Sequence, residues 1–183
     1  MYGIELLVEE HENIYAMTEY LNRLCCAVLE GAEVNIGEFR ECMDFIRNYA
    51  DKHHHGKEER ILFRFMLEKK DAAAEKLVRN AMLVEHDLAR YHVSELDKAL
   101  TQYEESPTSK AKLSILTHAS GYADLLQRHI NKENEVCYTY AQRLLSDESK
   151  ALIDEETRDF EEKAGKEHIQ ERYVAWIDRR RHV

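Results

Sequence analysis

The chain has one proline and six glycines in 183 residues, too few breakers for the many turns of a strand-rich domain. Runs of β-branched residues are almost absent, whereas strong helix formers (Ala, Leu, Glu, Lys, Arg and Met) are abundant. These shortages predict an all-α fold of a few long helices. No C-x-x-C spacing relates Cys25, Cys26, Cys42 and Cys137, so they are expected to be reduced core thiols rather than cluster ligands. Met1–Glu10 has no basic leader region, and no apolar run approaches the ~20 residues of a membrane span. A cytoplasmic protein is expected. A net charge of −10 and a pI near 5.5 leave no basic footprint for nucleic acid or an anionic membrane. The one basic run, Arg179 to Arg181, reads as a solvated helix end.

Against that background two strings stand out. His54-His55-Gly56-Lys57-Glu58 and His129-Ile130-Asn131-Lys132-Glu133 both read His-x-x-Lys-Glu, and a ring follows each Glu five residues on, Phe63 and Tyr138. The offset is constant, since 129 − 54 and 133 − 58 both give 75. A His and a carboxylate four apart on a helix project from one face, about 6 Å apart along the axis, and form a chelating pair. His55 and Glu59 share that spacing, but alignment of the two strings selects His54 and Glu58. His53 and His55 then read as flanking residues.

Helical periodicity places these residues on buried stripes. The first helix, about Ile4 to Leu29, carries Leu7, His11, Ile14, Thr18, Leu21, Cys25 and Val28 inward. The second starts after Asn35 and runs to about Lys69, with Phe39, Met43, Ile46, Ala50, His54, Glu58, Ile61 and Phe65 inward. Asp71 caps a short helix over 72–79 that leads into the third, 80–104, with Met82, His86, Ala89, Val93, Leu96, Leu100 and Tyr103. After Ser106-Pro107-Thr108-Ser109 the fourth runs to about Leu145, with Tyr122, Leu125, His129, Glu133, Val136 and Tyr140. Residues 1–145 are thus expected to form an up-down-up-down four-helix bundle, and residues 146–183 a C-terminal helical extension packed on the same domain.

The heights of the histidines agree with that topology. His11 lies 22 residues before a turn near Glu33 and His54 lies 21 after it; His86 lies 21 before a turn near Pro107 and His129 22 after it. Across the turn near Lys70, His54 and His86 are each 16 residues away. Residues equidistant from a turn are level on neighbouring helices, so the four imidazoles are predicted to share one layer with two carboxylates. Buried carboxylates are costly unless paired or metal-bound. Imidazole and carboxylate without thiolate suit iron, manganese or zinc, and two carboxylates able to bridge point to two ions.

The order His, His-x-x-x-Glu, His, His-x-x-x-Glu along four helices resembles the hemerythrin-like, or HHE cation-binding, family. So do the strings His54-His55-Gly56-Lys57-Glu58-Glu59 and Glu85-His86-Asp87-Leu88-Ala89-Arg90. The resemblance covers about residues 4–145. It implies a non-haem, carboxylate-bridged centre of two iron ions, with zinc or manganese as possible substitutes. The implied ligands are His11, His54, Glu58, His86, His129 and Glu133, and the implied small ligands O2, NO or peroxide. Oxygen carriers of that family have a second His one turn after the third-helix ligand, where this chain has Arg90. Water, Glu59 or a residue of the extension, with His168 and Glu171 as candidates, is expected to fill the gap. His92 and His118 fall outside the layer, His182 lies in the tail, and Tyr15, Tyr49 and Tyr122 are expected on or near interior faces.

Three functions are compatible with such a centre: reversible binding as sensor, store or scavenger; turnover of peroxide, NO or O2, with an electron-donor protein for reductive steps; and an iron-responsive regulatory module.

Overall fold

Side-chain caps fix where most of the helices start. Asn35 accepts a hydrogen bond from the Glu38 N–H, Asp71 from those of Ala73 and Ala74, Thr108 from Ala111 and Ser146 from Ser149. Each satisfies backbone donors that a helix N-terminus otherwise leaves unpaired. The computed structural model describes residues 1–181, so His182 lies outside the described residues. Among those described there are six helices and no strand.

Helix α1 is Tyr2–Leu29, ending before Gly31, whose φ of 106° suits a residue without Cβ. Helix α2 covers 36–68: it is α-helical over Ile36–Phe45, wound as π-helix over Ile46–His55 and Glu58–Leu62, and α-helical again over Phe63–Glu68. Helix α3 covers 72–105 with a π-turn at Val78–Met82, so the expected short helix and the one after it are continuous. Helix α4 covers 109–144 with a π-turn at Glu133–Cys137. Helices α5, Asp147–Gly165, and α6, Ile169–Asp178, make up the extension. None is long and apolar enough to cross a membrane.

The inward stripes of α1 and α2 are buried in full. On α4 the pattern breaks: Val136 is 51% exposed, while Cys137 and Tyr138 are buried. The π-turn that begins at Glu133 explains this, because its extra residue per turn displaces the following inward positions by one. Cys25, Cys42 and Cys137 are buried free thiols as expected, but Cys26 is exposed, being next to the stripe residue rather than on it.

Two apolar cores result, and the polar layer lies between them. Along α1, Ile4 and Leu7 belong to one core and Ile14 to Val28 to the other, with His11 in between. The same division falls at His54 and Glu58 on α2, at His86 on α3 and between Ile130 and Cys137 on α4. Four helices therefore interrupt their apolar packing at one height.

The extension closes one side. Gly3 of α1 sits so close to α5 that a Cβ would lie 2.9 Å from the Thr157 Oγ1, and its N–H donates to Asp154 at 2.8 Å. Helix α6 lays Tyr173, Trp176 and Ile177 on α1 and α2, with the Trp176 ring 5.4 Å from that of Phe45. Ile177 is fully buried, so Ile177→Ala is expected to cost about 2–5 kcal/mol, read as a lower melting temperature with metal content unchanged.

Candidate metal centre

The six anticipated residues come together. His11, His54, Glu58 and Glu133 form one group whose ligand atoms all lie within 4.8 Å of one another, and His86 and His129 belong to a second such group. The third member of the second group is His55. Its expected role as a flanking residue is corrected: the side chain is buried, its ring stacks on His86 at 3.8 Å, and it lies beside His54 at 5.7 Å. In an α-helix neighbours diverge by about 100°, and only one of the two would face inward. The π-winding over Ile46–His55 puts more residues in each turn, so both do.

His55 thus joins the layer from the facing helix, and Arg90, one turn after His86, does not. Arg90 instead bonds Asp51 at 2.9 Å and Glu59 at 2.7 Å. Asp51 faces the Nδ1 of His55 at 3.4 Å and Glu59 that of His86 at 2.7 Å. Glu59 thus orients a histidine and does not fill the gap. His168 and Glu171 are also excluded, since they are exposed and paired with each other at 2.9 Å.

Every histidine of the layer is held in the same way. The Nδ1 of His11 donates to Asn134 Oδ1 at 2.8 Å, that of His54 to Glu10 at 2.9 Å and that of His129 to Glu85 at 2.9 Å. With Nδ1–H committed outward, each Nε2 presents a lone pair inward. The outer carboxylates are themselves held ionised. Burial works against it, but bonds from His53 and His54 keep Glu10 well below the usual carboxylate range. The bond from His129 takes Glu85 down to about 2.

Glu58 and Glu133 stand at the centre, each with 0% exposure. The Nε2 atoms of His11 and His129 lie 3.2 and 3.1 Å from Glu133 oxygens, and those of His54 and His86 lie 3.7 and 3.5 Å from Glu58 Oε2. These approaches are not along hydrogen-bond directions: His54 Nε2, Glu58 Oε2 and both Glu133 oxygens have no hydrogen-bond partner. Burial and then the charge of Glu133 hold the Glu58 carboxyl well above its usual range. The Nε2 atoms of His86 and His129 face each other at 3.1 Å, a contact that a proton or a metal ion between them would satisfy. Five imidazoles and two carboxylates converge here, and His54 Nε2, Glu58 Oε2 and both Glu133 oxygens are orphaned buried acceptors; this donor set fits metal cations.

Two rings complete the walls, those five residues after each Glu. Phe63 stacks against His86, and Tyr138 stacks on His11 with its hydroxyl donating to Glu58 at 2.7 Å. Tyr138 is the hydroxyl at the centre. Of the tyrosines singled out from the stripes, Tyr49 bonds Asn13 away from the site and Tyr15 is 38% exposed. His92 and His118 pair with each other outside the centre at 3.3 Å. A third cluster, Glu10, His53 and Glu161, already encloses a cation, because the buried Lys57 ammonium bonds both glutamates and lies 3.1 Å from His53.

None of the curated proteins compared with the chain matches it. Residues 2–141 match the hemerythrin HHE cation-binding domain, and the chain belongs to that family.

Proposed function

We propose that helices α1 to α4 form the family's four-helix bundle around two iron ions, and that the protein binds O2, NO or peroxide reversibly as a sensor, store or scavenger. In this reading His11 and His54 would hold one ion and His55, His86 and His129 the other, with Glu58 and Glu133 available to both. The observation that carries it is the inward convergence of five Nε2 atoms whose Nδ1 partners are all engaged outside. Two ferrous ions would supply the two electrons that O2 takes up on binding.

The chain's own residues then divide the work. The group with two histidines has the smaller set of protein ligands, so a small ligand has room on that side. There the Tyr138 hydroxyl, 3.4 Å from His11 Nε2 and donating to Glu58, is placed to redirect its one O–H to the bound ligand, while Phe63 and Tyr138 exclude water. With His55 serving as the fifth imidazole, the argument for turnover from a vacant position at Arg90 falls away, and reversible binding needs no electron-donor protein. A cytoplasmic setting, where thiols stay reduced, accords with the four free cysteines.

Anaerobic purification with iron, metal counting and spectra before and after O2 test the proposal. Two irons per chain and a persistent near-ultraviolet and visible band that reverses on removal of O2 support it. One iron or none, or a fast irreversible bleach, overturns it. Tyr138→Phe is expected to keep both irons and shorten the lifetime of the liganded form about tenfold, read by stopped-flow decay; this is the loss of one buried hydrogen bond of about 1–1.5 kcal/mol.

A further inference from the structure

Next to the metal centre, between α2 and α3, lies a cavity of about 310 Å3. Its buried end is formed by His55 and Tyr122, its walls by Ile46, Ala89 and Val93, and its mouth by the half-exposed Arg47 and the exposed Lys98. The Tyr122 hydroxyl is an unpartnered polar group in a side chain that is 1% exposed. Burial, and after it the negative charge of Asp51, raise its pKa far above the ordinary value. It is therefore a neutral donor, and it lies on the side of Asp51, another wall residue. A buried hydroxyl without an acceptor is destabilising, and a ligand that brings an oxygen removes that cost.

The mouth supplies a different chemistry. Arg47 spends one guanidinium nitrogen on Asp97 and Lys98 one N–H on Glu95, so both keep donors for an anion. Arg90 has less in reserve, since each of its three nitrogens is already bonded, to Asp51, Asp87 or Glu59. The cavity is thus apolar in its middle, offers one neutral donor at the buried end and has Arg47 and Lys98, with Asp97 paired to Arg47, at the open end. Its volume is at the lower limit for small-molecule sites.

We propose that this cavity binds a small organic acid. The inner oxygen accepts from Tyr122, the apolar body lies between Ile46, Ala89 and Val93, and the carboxylate meets Arg47 and Lys98. His55 is common to the cavity wall and to the metal centre, so the bound acid lies against one side of that centre. Binding itself does not depend on which metal the chain holds or on what that metal does.

The test is calorimetric titration of the full chain, with its metal content measured beforehand, using 4-hydroxybenzoate, benzoate and 4-hydroxybenzamide as probes. The hydroxy acid is expected to bind with one site per chain. Tyr122→Phe is expected to weaken it about fivefold with metal content unchanged, and benzoate should bind both proteins with the weaker affinity. The neutral amide should bind worse than the acid, and Val93→Phe, which fills the middle of the cavity, should abolish binding. Equal affinity of amide and acid, an unchanged affinity in Tyr122→Phe, or no binding of any probe at millimolar concentration would each overturn the proposal. Because metal content is read separately, a protein without iron that still binds the acid would sink the di-iron reading and leave this one standing.

Discussion

Glu58→Gln is expected to lose metal and yet stabilise the metal-free protein. The two effects have one cause. Glu58 and Glu133 are buried together, and Glu58 is pushed towards its neutral form by that burial and by the charge of its neighbour. In the metal-free chain an amide of the same size is neutral without having to take up a proton on folding, which is expected to raise stability by about 1–4 kcal/mol. On the proposed assignment the same change would remove an anionic ligand shared by the two ions, and the content should fall to one or none. A purely structural His/Glu network predicts the reverse sign, since loss of a paired carboxylate would then leave its partners unsatisfied and lower stability. Metal analysis and urea unfolding of chelated wild type and variant decide between them. A variant that keeps two ions, or that unfolds at lower urea without them, counts against the assignment of Glu58.

His55 separates what the sequence could reveal from what it could not. Caps, stripes and turn positions placed His11, His54, His86 and His129 at one height by counting residues, and the structure has the imidazoles of His11 and His54 4.6 Å apart and those of His86 and His129 4.8 Å apart. That succeeded because rise per residue is nearly the same whether a helix is regular or not over a turn or two. Direction around the helix axis is less forgiving. A π-turn adds a residue without any local signal in composition, and it rotates everything after it. Two departures from expectation, His55 turned inward and Val136 turned outward, lie within such segments. The one available clue was the unbroken run His53-His54-His55: three polar rings in succession sit badly on a regular amphipathic helix, and all three are buried. The outer carboxylates Glu10, Asp51, Glu59 and Glu85 were not legible as a set, because nothing in the sequence distinguishes an Asp or Glu that holds a histidine from one that faces water.

Removing metal from the wild-type chain is expected to lower its melting temperature by at least about 8–16 °C. An ion present at a thousandfold its dissociation constant contributes about 4 kcal/mol, and in a domain of this size 1 kcal/mol moves the midpoint by about 2–4 °C. A second ion adds to this. The helices themselves should persist after chelation, because an apolar core lies on each side of the polar layer and neither includes a metal-facing group. The loss should instead spread outward through the residues that orient the histidines. Glu10, which holds His54, also receives Gln170 of α6 at 2.6 Å and the Lys57 ammonium, which in turn bonds Glu161 of α5. Once His54 is no longer held by an ion, Glu10 is free to turn, and the polar anchor of both extension helices weakens. Hydrogen exchange is therefore expected to show α5 and α6 losing protection on chelation, in parallel with His54 and ahead of the apolar core around Leu21 and Leu100. Unchanged exchange over 147–178 together with an unchanged midpoint would mean that the centre and the extension are energetically separate.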